Sequence, residues 1–379
     1  MPYAAAVSEN PNGAVAAAEV ADAVIAQLGI GPDAALVFFT GAHGGSAEEM
    51  TRAIRDRLLP GVLMGASAVS VVAGDREFEA TPAVSLWAGR IGEVVPARFT
   101  AYRDGSGIGI EGPDADVLGS AHTLVLIPDP FTFPVDLLMD QLADDHPDLQ
   151  VIGGMASAAA RPGGNRLILD NDVYTEGAVG LLLSGPTRVT TVVSQGCRPV
   201  GRPLVVTKAD QNKILELAGR PAYEQVADMI GSLSDEERQL AAQGLHIGRV
   251  IDEHKLEFSR GDFLIRGVLA AEPETGSVTV GDVVPVGAAV QFQVRDAASA
   301  DQDLKELMAG RAADGALLFT CNGRGSHLFG TPDHDAALIS AALDGVPLGG
   351  MFCAGEVGPV GDRNFVHGFT ASLALFHDE

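Results

Sequence analysis

The sequence predicts a mixed α/β (α+β) fold: two layered domains built from a repeated strand-loop-helix-strand-turn-strand unit. Three observations carry that expectation. The chain has 379 residues, enough for about two domains and for a core that needs no disulfides. Short aliphatic runs closed by glycine alternate with segments whose apolar residues recur at helical spacing, which implies helices packed on sheets. The third observation is internal repetition: the same order of elements occurs three times.

The first copy opens with the strand and glycine-rich exit ALVFFTGAHGG. In SAEEMTRAIRDRLLPG, Ser46 and Glu49 have the spacing of a capping box, and Met50, Ile54 and Leu58 mark one helical face. Pro60-Gly61 stops that helix, and VLMGAS and AVSLWAG follow as strands. The second copy runs TLVLIPDP, the helix PVDLLMDQLADDHPD, VIGGMAS and GAVGLLLSG. The third runs ALLFTCNGRG, the helix PDHDAALISAALDG, PLGGMFCAGE and FTASLALF. Gly65, Gly154 and Gly350 fall at one shared point, just after a short apolar strand.

Between the copies lie segments that do not repeat. DGSGIGIEGPDADVLG, 104–119, reads as a loop inside the first domain. From Val189 to Gly231 the pattern is two strands around a tight turn and then helices, with Pro221 at a helix N1 position and Gly231 just past its end. Ser234 and Glu237 form a second capping box. From Asp262 to Asp296, β-branched runs punctuated by glycine and proline suggest a meander. The domain boundary is placed between 190 and 220, giving domains of 20–205 (two repeats) and 206–376 (meander plus third repeat).

Composition narrows the partners. Fifty acidic residues against 25 basic ones give a formal charge of −25, a field that repels nucleic acid and anionic membrane surfaces. No apolar run reaches the about 18 residues of a membrane-spanning helix, and the first residues lack the pattern of a secretory signal. Cys197, Cys321 and Cys353 are widely spaced, with no C-x-x-C pair. That argues against a disulfide framework or zinc ribbon and favours a reducing, cytoplasmic setting.

The residue types admit four chemistries. FFTGAHGGSAEE sets glycines between a strand and a helix, where free N–H groups hold anions, but lacks the nucleotide-binding spacings and a following lysine. Cys321, Cys353, Glu356 and His367 all belong to the third repeat and supply the residue types of cysteine catalysis. The nine histidines show no paired metal-binding motif, whereas haem needs only one axial histidine. The fourth reading is a polar ligand pocket. In it, Cys321, Asn322 and Arg324 on the strand exit face Glu356, Arg363, Asn364 and His367 on a glycine-rich hairpin, at the carboxyl ends of strands where α/β sheets collect ligands. Arg324 offers a planar fork for carboxylate or phosphate. The bland alternative is an Arg–Glu bridge that pins the hairpin.

CNGRG followed by GGMFCAGEVGPVGDRNFVHGFTASLALF resembles the C-terminal part of the FIST family (F-box and intracellular signal transduction proteins). The similarity extends through GCRPVGRPLVVTKADQNKILELAGRPA and the segment 261–304, and the N-terminal units with IGGMAS resemble the FIST N region. The resemblance implies a cytoplasmic sensory input protein, not an enzyme, that binds a small molecule such as an amino acid or other carboxylate. Members of the family are often fused to output domains; this chain ends at Glu379, a few residues past its last strand, so no output domain of its own is expected and a separate signalling protein would receive the signal. Two alternatives stay open: a haem-binding nitric oxide sensor with His246 or His367 as axial ligand, and a cysteine-dependent enzyme.

Overall fold

The computed structural model describes residues 2–105, 107–252, 255, 258 and 260–378. Each repeat forms a leading strand, a helix, a partner strand parallel to the leading one, and a closing strand antiparallel to it. In repeat 1 these are Ala34–Thr40, Ala47–Leu58, Val62–Ala68 and Val84–Gly89. In repeat 2 they are Thr123–Pro128, Val135–Asp145, Gln150–Gly154 and Ala178–Leu183. In repeat 3 they are Gly315–Cys321, His334–Ala342, Leu348–Cys353 and Thr370–His377. The mixed α/β content and the expected order of elements are both present.

The turn between the partner and closing strands of each repeat is a β-hairpin, and it pairs with a different repeat. Val71–Ala73 with Arg76–Phe78, from repeat 1, extends the sheet of repeat 3. Leu167–Leu169 with Asp172–Tyr174, from repeat 2, extends that of repeat 1. Glu356–Val360 with Arg363–His367, from repeat 3, extends that of repeat 2. The exchange closes on itself. The shared core follows from it: Phe38, Trp87, Ile127, Ile152, Phe319 and Phe376 meet in one cluster, with Phe38 edge-on to Phe319 at 6.1 Å and Trp87 tilted against Phe376 at 4.9 Å.

The compact units therefore divide the chain differently from 20–205 and 206–376. One unit holds all three repeats, Met1–Val193, Lys305–Val366 and Thr370–Glu379. The other comprises Ser194–Leu304 and His367–Phe369. In this second unit, Cys197–Asp210, Ala289–Arg295, Leu245–Val250, Phe263–Glu272, Ser277–Val280 and Lys213–Leu217 pair in that order. The last pairs back to the first, so six antiparallel strands close a barrel. Val206, Ile214, Ile247, Val278 and Phe292 fill its core, with Val226 and Met229 of the helix Ala222–Ser232.

Several local expectations need correction. Only the first part of 262–296 is a meander, because Ala289–Arg295 crosses to pair with Leu245–Val250 and Cys197–Asp210. The segment 104–119 is a strand, Gly107–Glu111, and a short helix, Ala115–Ser120, rather than a loop; Ser106 within it lies outside the described residues. Pro221 is the N-cap rather than N1, and Gly231 sits inside the helix, which ends at Ser232. Ser46 makes no capping bond, because a 3-10 turn over Gly41–Ser46 runs straight into the helix and denies Ser46 the extended backbone that a cap needs. Ser234 and Glu237 do form their capping box.

The repeated glycine also shifts by one residue. Gly65, Gly153 and Gly350 each face the fourth residue of their leading strand, Val37, Leu126 and Leu318. A Cβ at these glycines would stand 2.1, 1.9 and 2.0 Å from the facing carbonyl oxygen. Backbone contact, not a turn, therefore demands glycine there, and in repeat 2 the equivalent is Gly153 rather than Gly154. Gly350→Ala is expected to cost about 3 kcal/mol or more in urea unfolding, since backbone must move. Gly231→Ala, exposed with open space around it, should stabilise by about 0.5–1 kcal/mol.

Candidate functional site

The leading strand of repeat 3 ends at Cys321, and residues 322–324 turn into the short helix Gly325–Phe329. Gly325 has φ +59, and a Cβ there would come within 2.9 Å of Glu79 and Phe352, so only glycine fits. This turn drives Arg324 inward until its side chain is 0% exposed. Its Nε and Nη2 donate to Asp335 Oδ2 and Oδ1 at 2.6 and 2.9 Å, a bidentate pair buried on both sides. Thr320 Oγ1 donates to Asp335 at 3.1 Å, and His334 Nδ1 lies 3.0 Å from its other oxygen. The His334 ring stacks on Phe329 at 3.4 Å, and the Arg324 guanidinium lies 5.2 Å from that same ring.

The hairpin lent by repeat 1 completes the cluster. Glu77 Oε1 accepts the backbone N–H groups of Asp335 and Ala336 at 3.0 and 3.1 Å, and the Glu77 N–H donates to Asp333 at 2.7 Å. Glu79 accepts from the N–H and hydroxyl of Ser326 at 2.9 and 2.8 Å. On the far side, Glu356 Oε2 accepts from the Thr370 N–H and hydroxyl at 3.0 and 2.8 Å. Among the described residues, Arg324 Nη1, Glu356 Oε1 and Glu77 Oε2 are buried without hydrogen-bond partners.

Burial sets the protonation states. It opposes charge on Asp335, but Arg324 and His334 together outweigh it and hold that carboxyl below the usual carboxylate range. Burial, reinforced by Asp335, raises Glu77 to about 7. Burial raises Glu356 to about 8 despite the bonds from Thr370, the Arg324 charge and a hydrogen bond from Cys321. Burial pushes the Cys353 thiol well above its ordinary range.

The seven residues expected to share a pocket separate into three groups. Cys321, Arg324 and Glu356 come together, and Asn322 is exposed beside them, its N–H donating to the Cys353 carbonyl at 2.9 Å. Arg363 and Asn364 lie at the hairpin tip, away from Glu356 at its base. Arg363 is exposed, 5.9 Å from the Phe365 ring. Asn364 is spent on backbone: it accepts from the Val151 N–H at 2.9 Å and donates to the Leu149 carbonyl at 2.8 Å. His367 is buried and belongs to the barrel unit. The Arg324 fork is not open, since Asp335 occupies two of its nitrogens; the bridge that forms is Arg–Asp rather than Arg–Glu. Asp335, Glu77 and Glu79 escaped the sequence reading. An acid in the first turn of the following helix was a usable signal for Asp335, but nothing local marks a glutamate 258 residues away from its partner.

His43, in the glycine-rich exit of repeat 1, is 1% exposed, and burial lowers its pKa. Among the described residues no group of three or more His, Cys, Asp or Glu is placed to share a metal ion. Haem does not fit the histidines as they stand. The His246 ring packs edge-on against Phe369 at 4.3 Å, its pKa driven to about 4 by burial and Arg295, and His367 is 3% exposed. Two cavities lie elsewhere: one of about 360 Å³ beside Tyr102, Ile108 and Phe131, and one of about 330 Å³ beside Arg202, Arg220 and Phe292.

The FIST N domain matches residues 33–220 and the FIST C domain residues 221–359. The uncharacterized protein Rv0628c of Mycobacterium tuberculosis is 45% identical over 380 residues, 98% of each chain. The uncharacterized protein Mb0898c of Mycobacterium bovis is 46% identical over 384 residues, again 98% of each chain. No helix among the described residues is long and apolar enough to cross a membrane.

Two outcomes follow from the cluster. Asp335→Asn leaves the Arg324 charge buried without its partner and should cost about 3–5 kcal/mol in urea unfolding. Replacing both partners, as Arg324→Met with Asp335→Leu, should recover much of that loss. The pH dependence has a definite sign. Glu77 and Glu356 sit at about 7 and about 8 when folded, against an ordinary 4.5. The stability they contribute is therefore complete below pH 4.5 and lost as pH rises through 7 and 8. The melting temperature should decline over that window, and Glu77→Gln with Glu356→Gln should flatten the decline.

Proposed function

We propose a sensory role from a plain premise: the chain belongs to the FIST family, whose domains serve signal transduction. On this reading the protein is an input module that binds a small molecule at the carboxyl end of the third leading strand and works in the cytoplasm. The observation that carries it is the pair of orphaned polar atoms, Arg324 Nη1 and Glu356 Oε1, inside one buried cluster. Nearly all buried polar groups in folded proteins are partnered, and each one left bare costs roughly 1–3 kcal/mol. A ligand that supplies an acceptor to Arg324 and a donor to Glu356 relieves both costs. An α-amino acid carries the two together, its carboxylate for Nη1 and its ammonium for Oε1.

The remaining residues would hold this pair in place. Asp335 clamps the guanidinium so that a single N–H edge is left to offer. Thr370 fixes Glu356, Asn364 ties down the far end of its hairpin, and Cys321 and Asn322 form the rim. A separate signalling protein would read the bound state.

Thermal shift with a panel of amino acids, simple carboxylates and simple amines tests the reading. Amino acids should raise the melting temperature of the wild type by several degrees at concentrations well above Kd. Carboxylates and amines alone should shift it less, and Glu356→Gln should lose the amino-acid advantage while remaining folded. If no member of the panel shifts the wild type, this ligand class is wrong.

A further inference from the structure

The register that aligns the repeats also isolates a pair of thiols. Counting from the glycine contact, Thr40, Asp129 and Cys321 occupy one position, and Ala68, Ala156 and Cys353 the position opposite. Repeat 3 alone has sulfur at both. Cys321 and Cys353 are direct partners in the parallel ladder, so their side chains leave the sheet on one face. Neighbouring strands lie about 4.8 Å apart, inside the roughly 4.4–6.8 Å between Cα atoms that a disulfide spans. The sulfur has its own niche: a Cβ on Gly154 would stand 2.2 Å from Cys353 Sγ, so glycine there makes the room.

The two thiols also differ in a way that suits a sequential reaction. Cys321 is partly exposed and Cys353 buried. Cys321 interacts with the Arg324 guanidinium, which Asp335 holds in place, and its S–H donates to the Glu356 carboxyl. The third cysteine, Cys197, is buried in the barrel unit.

We infer that Cys321 and Cys353 form a redox-active dithiol whose oxidising substrate is a hydroperoxide. The Cys321 sulfur attacks the terminal peroxide oxygen, and the O–O bond breaks. Cys321 becomes a sulfenic acid, and water or the corresponding alcohol leaves. The Cys353 sulfur then displaces the hydroxyl; the S–S bond forms, and water departs carrying the Cys353 proton. Two electrons pass from the two thiols to the peroxide, and a thiol reductant restores them. None of this depends on the amino-acid ligand.

The test uses the full chain, reduced, exposed to a few equivalents of hydrogen peroxide, alkylated and mapped by mass spectrometry. The expected product is lighter by about 2 Da, with a cross-link joining the Cys321 and Cys353 peptides, Cys197 still alkylated, and full reversal by dithiothreitol. In Cys353→Ala the Cys321 sulfenate should persist long enough to react with a dimedone-type probe. A wild-type map with all three thiols intact, with Cys197 oxidised first, or with Cys321 carrying added oxygens and no cross-link overturns the inference. Because the decisive map is made on wild-type protein, it does not hinge on how a variant folds.

Discussion

The structure depends on one constraint: no repeat can satisfy its own sheet. A leading strand is covered on one side by its closing strand and on the other by its partner strand, which then presents a free edge of N–H and C=O groups. Left buried and unpaired, such an edge is costly. Each partner strand is completed by a hairpin from another repeat, so folding must gather all three at once. The glycine contacts tighten this arrangement, because Gly65, Gly153 and Gly350 let neighbouring strands meet without an intervening side chain.

The same exchange builds the polar cluster. Glu77 reaches Asp335 only because the first hairpin is lent to the third sheet, and Glu356 sits against Gly154 because the third hairpin is lent to the second. Approximate threefold repetition would otherwise make three equal strand exits. Repeat 1 closes its exit with Thr40 and a tight helical turn, and repeat 2 closes its own with Asp129, whose oxygens are taken by Phe131, Thr132 and Asn165. Only repeat 3 places an arginine at its exit, and a buried arginine compels a buried acid beside it.

What was legible in the sequence, and what was not, follows the range of the forces. Leading strands, helices and closing strands were readable because aliphatic runs, helical periodicity and capping are local. The exchanged hairpins were not, since Val71–Phe78 and Leu167–Tyr174 look like turn-rich spacers and their partners lie in other repeats. Residue types at the candidate site were readable, while their grouping was not. Arg324 and Glu356 converge through sheet topology. Asn364, of equal promise by type, is consumed in holding a hairpin. The barrel was half readable: its strands announced themselves by β-branched residues, but closure depends on the long strand Cys197–Asp210 pairing on both edges.

Charge within the cluster also constrains what can bind there. One permanent cation, Arg324, is buried with three carboxyl groups, Asp335, Glu77 and Glu356. A single guanidinium can stabilise only one carboxylate at full strength in a poorly solvated interior. Geometry assigns that place to Asp335, so burial drives Glu77 up to about 7, about half protonated at neutral pH, and Glu356 up to about 8, mostly protonated there. The empty cluster is thereby close to neutral. A second positive charge entering beside Glu356 would allow that carboxyl to ionise as well, exchanging its proton for the new cation. A ligand bearing only a carboxylate would gain the Arg324 edge yet meet a protonated acid that gives it no matching charge. The buried charge count, more than the shape of the site, therefore favours a molecule that brings both signs with it.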